Sequence, residues 1–549
     1  MANSDKYGAA RIARQEHIDK ILKSESGKKV VVAGPGTGKT YLFKEILAGK
    51  KNTLTLSFVN TLVDDLSLEL CGLSEVRTLH SYARNALAVA TNSKVILFPK
   101  LSYVIQDDAS LLLGADIDFD EIFQNRHDKN EHINFYQERQ IYYMHHGYAD
   151  VIFAAVNYFE AHKDQMPVYD QVLVDEFQDF NLLEVSLINL LAEKSPILLA
   201  GDDDQALYDF KHASAQYIRN FHGGAGSAYA AFNLPYCSRC TRTIIDATND
   251  LIKSAQKQGL LKGRIQKPYR YFDNEEKDVE STKFSRIGYQ KTYYANQIPW
   301  FIETEIQKMA VEVRSTFSVL VIAPTSTQCR DLTSALRKKG FKSVSYTERG
   351  AVNPTLMEGL KLILEDKNSN LGWRIIARHM LKEVAFVKVL KSAQTNTPFT
   401  DFLDKAFKVR VLNIVKKLRQ LRDGSIDKGS LPELFLSVEI DPNEEAQSML
   451  QRRLDSGGYN YGMAAVRNLP IRVTSIQSSK GLAADLVFIT YFDDRYFIRS
   501  KDKSVITDLE VCNLIVALTR ARRKVVLVSS TLKDPIFMSW IDKSRIEVL

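Results

Sequence analysis

Two spacings of apolar residues divide the chain. Short unbroken runs, Val30-Val31-Val32, Val172-Leu173-Val174, Ile197-Leu198-Leu199-Ala200 and Val319-Leu320-Val321-Ile322-Ala323, predict buried strands of the kind parallel sheets use. Residues 11–22, 41–47 and 328–340 instead space their apolar positions as helices do. Strand runs followed by helical runs predict an α/β chain. The rhythm fails in residues 85–167, 262–283 and 350–467. The first of these carries an acidic, loop-like patch at 116–121, a polar run at 125–134 and a tyrosine-rich helix, and reads as an inserted subdomain. His145-His146 within it reads as solvent-facing, with no acid or Cys/His partner at ligand spacing. Residues 262–283 read as a polar, acidic linker or surface excursion, and 350–467 as a second, mainly helical insertion. In that insertion, Lys405, Lys408, Arg410, Lys416, Lys417, Arg419 and Arg422 surround Val411, Ile414, Val415 and Leu418. A solvated helix face or a contact to duplex phosphates both fit this pattern.

Chemistry gathers where strand runs end. After Val32 comes Ala33-Gly34-Pro35-Gly36-Thr37-Gly38-Lys39-Thr40, a glycine-rich turn between strand and helix. Glycines let successive backbone N–H groups close around phosphate oxygens at a helix N-terminus. Lys39 then reaches the β- and γ-phosphates, and Thr40 holds Mg²⁺. After Val174 come Asp175 and Glu176, a second Mg²⁺ ligand and a base for the attacking water. Upstream, Gln15 offers an amide that can pair with one edge of adenine. The strand 53–57 and the segment 77–82 place Phe58, Asn60, Thr78, His80 and Ser81 at strand ends, where a base can stack and phosphates find small donors.

The run Gly201-Asp202-Asp203-Asp204-Gln205-Ala206-Leu207-Tyr208-Asp209-Phe210-Lys211, following Asp175-Glu176-Phe177-Gln178-Asp179, resembles the third and second motifs of UvrD/Rep-type superfamily 1A DNA helicases. The resemblance implies that Gln205 senses the γ-phosphate while Tyr208 and Phe210 stack on single-stranded DNA. Lys211 stands where the family has arginine and keeps the charge without the bidentate fork. Residues 236–245 are similar to the fourth motif, with Arg239 at the arginine-finger position and Ser238 where the family has a tyrosine that stacks on adenine; Tyr41 or Tyr236 could substitute for it. Cys237-x-x-Cys240 has no second pair and reads as neither zinc nor redox site. Residues 473–483 resemble the fifth motif, with Gln477 in place of a DNA-contacting histidine and Ala483 in place of a ribose-binding glutamate. Residues 513–522 match the sixth, and Arg520 is the second finger.

The resemblance implies two RecA-like P-loop domains with parallel sheets, each carrying a mainly helical insertion. Residues 1–86 and 166–235 form the ATP-binding domain 1A, with 87–165 inserted as 1B. Residues 236–350 and 468–549 form 2A, with 351–467 inserted as 2B. ATP and Mg²⁺ sit in the 1A/2A cleft. The implied activity is ATP-dependent translocation on single-stranded DNA, 3′ to 5′, with unwinding at single/double-strand junctions. A reading from another class is a DNA-sensing ATPase subunit that delivers DNA to a separate nuclease or repair protein, as in anti-phage defence.

Composition adds limits. The chain has 549 residues, enough for three or four domains, and 73 Lys+Arg against 66 Asp+Glu leave a net charge of +7. That balance permits a polyanionic partner without requiring one. The five cysteines do not make a disulfide framework, and with no membrane span or signal-peptide plan the expectation is a cytoplasmic protein without a membrane partner. About 27 residues follow Arg522, too few for a fused nuclease domain.

Overall fold

The computed structural model describes residues 2–549 except 58–59, 129, 208–211, 225, 314, 347–352, 394–396, 424, 426–465, 499, 501 and 503–504. Contacts group the chain into two compact units, Met1–Tyr82 with Phe159–Glu348 and Tyr459–Leu549, and Ala83–Tyr158 with Arg349–Gly458.

The larger unit is built on two parallel sheets. The first takes β1 (Lys28–Ala33), β2 (Thr53–Ser57), β3 (Glu75–Thr78), β4 (Gln171–Val174), β5 (Ile197–Gly201) and β6 (Ala230–Leu234), in the order β3-β2-β4-β5-β1-β6. All its pairings are parallel. Burial explains the apolar runs, since β2, β4 and β5 are buried at every position. Helix α1 (Ala2–Leu22) and helix α2 (Lys39–Leu47) pack Ile18, Ile21, Leu42, Phe43 and Leu47 against Val31, Leu173 and Leu198. Because the strands run in parallel, the turns after β1, β4 and β5 open on one edge, the edge that binds ligands in such folds.

A short ribbon, β7 (Tyr236–Cys237) with β8 (Arg270–Tyr271), leads into the second sheet. That sheet takes β9 (Ile287–Lys291), β10 (Val319–Ala323), β11 (Val344–Tyr346), β12 (Ile471–Ser475), β13 (Ala484–Thr490), β14 (Ala521–Ser529) and β15 (Ile546–Val548), in the order β11-β12-β10-β13-β14-β9-β15. Alternate residues serve opposite faces: Leu320, Ile322, Val487 and Ile489 enter one core, and Val319, Val321, Leu486 and Phe488 the other.

The smaller unit is helical and joins the two motif-poor stretches in one core. Asp108, on the helix Leu101–Leu113, accepts from Arg139 at 2.8 and 2.9 Å, from Arg374 at 2.6 and 2.9 Å and from Tyr143 at 2.6 Å. One fully buried carboxylate thus answers two guanidiniums, and Asp107 takes a further bond from Arg374. The helix Lys405–Arg422 buries Val411, Ile414, Val415 and Leu418 against Leu360 and Trp373 and leaves Lys405, Arg410, Lys416, Lys417 and Arg419 exposed. Two expectations change here. The acidic patch at 116–121 is loop only over 116–118; 119–121 open the helix Phe119–Gln124, whose first turn Asp118 caps by accepting from Glu121 N. His145 is buried, and His146 lies 2.8 Å from Asp150 one helical turn on, so neither faces solvent as a free polar group.

Candidate functional site

The turn after β1 carries the loop 34–40 into α2. Gly36 and Gly38 hold positive φ of 71° and 95°, values that only glycine adopts freely. Space imposes the same choice: a Cβ on Gly36 would collide with Cβ of Arg239, and one on Gly38 with the guanidinium of Arg14. Thr37 Oγ1 donates to Gly34 O at 2.8 Å and tightens the turn. Lys39 Nζ donates to Glu176 Oε1 at 2.8 Å and lies 3.0 Å from Asp175 Oδ1. Thr40 follows it in the first turn of α2, half-buried.

Asp175 and Glu176 leave the end of β4 side by side, and their charges are set apart. Burial raises the pKa of Asp175 from its ordinary value, against the pull of Lys39. Burial pushes Glu176 the same way, yet Lys39 and Lys480 overcome it and hold this carboxylate ionised. Glu176 is also strained, with φ 55° in the left-handed region, and Gln178 Nε2 steadies it with a 2.7 Å bond. Gln178 Oε1 in turn accepts from Asp202 N at 2.9 Å, which ties the turn after β4 to the turn after β5.

Gln205 closes that second turn. Its amide donates to Asp202 Oδ2 at 2.8 Å and accepts from Arg520 Nη2 at 2.8 Å. Arg520 stands just before β14, so the second lobe delivers it to the first. Burial, then the neighbouring charge of Arg239, lowers its pKa to about 10. Arg239 itself lies against Gly36, and Ser238 N donates to Gly36 O at 3.0 Å. Lys480, also from the second lobe, donates to Gln205 O at 2.7 Å, lies 3.5 Å from Glu176 and pairs with Asp179. Both arginines and Lys480 therefore share one crevice with Lys39, Asp175, Glu176 and Gln205.

Several predicted positions lie elsewhere. Gln15 is exposed and donates to Asp19 Oδ1 at 2.8 Å; its neighbour Arg14 is the α1 residue that reaches the loop. Tyr41 is 44 % exposed, and Tyr236 rests edge-on against His17 at 5.9 Å. Thr78, His80 and Ser81 sit half-buried at the end of β3, where Thr78 Oγ1 accepts from Ser81 N at 3.2 Å. Gln477 is half-buried in the turn after β12, three residues before Lys480. Phe58, Tyr208, Phe210 and Lys211, and the side chain of Asn60, lie outside the described residues.

The segment 262–283 is no linker. Its Lys267 Nζ reaches Asp202 at 2.8 Å and Asp204 at 3.0 Å and also pairs with Asp203, while Arg264 bonds Asp204 at 2.7 and 2.8 Å. Asp202, Asp203 and Asp204 form the one cluster among the described residues with metal-ligand spacing, and these cations already neutralise it. Tyr269 OH donates to Pro35 O at 3.0 Å, with its ring against Gly34. The sequence signal was a basic residue every third position (264, 267, 270) in a stretch read as polar. Cys237 and Cys240 are buried, unoxidised and adjacent to the loop; burial opposes ionisation of Cys237, but hydrogen bonds from Cys240 and Tyr269 lower its pKa.

A glycine loop after the first strand, paired acids after the fourth and cations supplied by a second parallel sheet meet in one crevice, the arrangement a P-loop motif requires. Comparison with known proteins sharpens the class. The UvrD/REP helicase N-terminal domain family matches residues 115–225, the stretch that holds Asp175, Glu176 and Gln205. The ATP-dependent DNA helicase PcrA of Staphylococcus aureus is 25% identical over 284 residues, covering 42% of this chain and 39% of the relative. PcrA of Staphylococcus epidermidis is 24% identical over 283 residues, with the same coverage. The match thus spans about two-fifths of the length of these relatives, 39%. Over these stretches the chain is similar to UvrD/Rep-type helicases. Among the described residues, no helix is long and apolar enough to cross a membrane.

Proposed function

We propose that this chain is an ATP-dependent DNA helicase or translocase that moves 3′ to 5′ on single-stranded DNA and hydrolyses ATP between its two lobes. The observation that carries the reading is the joint crevice: Lys39 and Glu176 from one lobe, with Arg520 bonded to Gln205 from the other. In this reading Lys39 leaves its carboxylates to hold the β- and γ-phosphates, and Glu176, kept ionised, orients and deprotonates the attacking water. Arg239 and Arg520 spread the charge of the transferring phosphoryl group, so turnover needs both lobes closed.

Thr40 and Asp175 suit Mg²⁺. Asp175 is buried with its Oδ1 3.0 Å from Lys39 Nζ, and a hydroxyl and a carboxylate are the hard oxygen donors this ion takes. When bound, Mg²⁺ neutralises phosphate charge. DNA contacts fall to Phe58, Asn60, Thr78, His80, Ser81, Tyr208, Phe210, Lys211 and Gln477. Gln477 and Lys480 share one short turn, which supports coupling between strand grip and nucleotide state.

The test is ATP hydrolysis measured in parallel with single-stranded DNA, duplex DNA and RNA, beside strand separation on a tailed duplex. Stimulation by single-stranded DNA together with unwinding supports the proposal. Stimulation without strand separation, alone or with a nuclease partner, assigns the DNA-sensing role instead. Hydrolysis surviving in Lys39→Ala overturns the site.

A further inference from the structure

Arg14 precedes Gln15 on α1 and covers the phosphate loop. Its guanidinium lies so close to Gly38 that a side chain there would overlap Nη2, and its Cζ stands 4.9 Å from the ring centroid of Phe272. The phenol of Tyr41 and the thiol of Cys237 are its polar neighbours, and burial lowers its pKa. The lysines of the crevice and Arg264 hold carboxylates: Lys39 has Asp175 and Glu176, Lys267 has Asp202, Arg264 has Asp204 and Lys480 has Asp179, whereas Arg520 bonds the Gln205 amide. Among the described residues, no carboxylate pairs with Arg14. A half-buried guanidinium without a counter-charge is costly unless an anion completes it. The ring contact uses its charge and consumes none of its N–H donors.

We propose that Arg14 is a second phosphate-binding cation of the nucleotide site. It holds the polyphosphate of a nucleoside triphosphate from the Gly38 side, while Lys39 holds it from within the loop. The proposal rests on the reading of residues 34–40 as that site. Its chemical consequence is affinity that ignores the base. Ser238 and Ala483 supply neither a ring nor a carboxylate to the nucleoside, and a fork of N–H donors on the phosphates compensates for any base. The ligand class is therefore nucleoside di- and triphosphates of any base, and inorganic tripolyphosphate.

Calorimetric titration of the full chain with ATP, GTP, ADP and inorganic tripolyphosphate tests this, using wild type, Arg14→Met, Arg14→Lys and Lys39→Ala. Arg14→Met should weaken all four ligands alike, by about ten- to a hundredfold, and flatten the salt dependence. Arg14→Lys should recover part of the loss. Wild-type affinity in Arg14→Met while Lys39→Ala loses binding overturns the proposal and leaves the site standing, as does a loss confined to one base. No binding of any ligand by wild type overturns the underlying site. Should Arg14→Met fail to fold, Arg14→Lys decides: weaker tripolyphosphate binding at an unchanged melting temperature supports the proposal, and wild-type affinity overturns it.

Discussion

Arg520 Nη2 donates to Gln205 Oε1 over 2.8 Å, and the bond joins the residue before β14 to the turn after β5. The same Gln205 donates to Asp202, and its carbonyl accepts from Lys480. One glutamine therefore receives two cationic groups from the second lobe. In the proposed function a γ-phosphate entering the crevice would compete for the same donors and tie lobe position to nucleotide state.

Arg520→Ala should lower the maximal rate of ATP hydrolysis by about 10³- to 10⁵-fold, the range of an arginine finger, with nucleotide binding largely kept. Steady-state kinetics with calorimetric nucleotide binding separates the two effects. A rise in KM at unchanged kcat would mean that Arg520 binds nucleotide and does not act on the transition state.

Asp179 gives a pH signature. Burial raises its pKa from the ordinary 3.8 to about 6, although Lys480 pulls it down. Between those values the folded chain keeps a proton that the unfolded chain has lost. Stability from this group is therefore highest below pH 4 and falls as pH rises toward 6, by about 3 kcal/mol in all. Asp179→Asn should remove that slope. Denaturation curves of both proteins from pH 4 to pH 7 provide the difference, and parallel curves would place the titration elsewhere.

Lys267 stands among three buried carboxylates; burial works against its charge, and Coulomb attraction to Asp202, Asp204 and Asp203 overcomes it. Lys267→Met leaves Arg264 and Arg219 against Asp202, Asp203 and Asp204 and should cost about 3–5 kcal/mol. Urea unfolding at neutral pH measures it. A loss below about 1 kcal/mol would mean that water already screens the cluster.

What the sequence disclosed follows from how each feature is encoded. The phosphate loop and Asp175-Glu176 are local, because the strand run, the turn glycines and the acids adjoin in sequence. Lys267, Tyr269 and Arg14 were not legible as site residues, since each acts on a partner more than 60 residues away or on a backbone that gives no compositional sign. The polar segment 262–283 looked solvated because composition records charge but not its counter-charge. Likewise, Asp108 could not be matched to Arg139 and Arg374 before the helices were placed, as nothing local couples positions 266 residues apart.

Nucleotide choice is the remaining prediction. Ser238 spends its backbone N–H and hydroxyl on Gly36 O, at 3.0 and 3.4 Å, and presents no ring to a base. Ala483 offers a methyl group three residues after Lys480, and Tyr41 is 44 % exposed. Stacking on an aromatic ring is worth about 1–3 kcal/mol per base, and a site without one has little else to tell bases apart. We expect kcat/KM for GTP and CTP within about tenfold of that for ATP, a gap of about 1.4 kcal/mol. Steady-state hydrolysis with single-stranded DNA present checks this. Ser238→Tyr should restore a preference for purines without changing the maximal rate. Strict ATP dependence in wild type would show that a residue not yet identified reads the base.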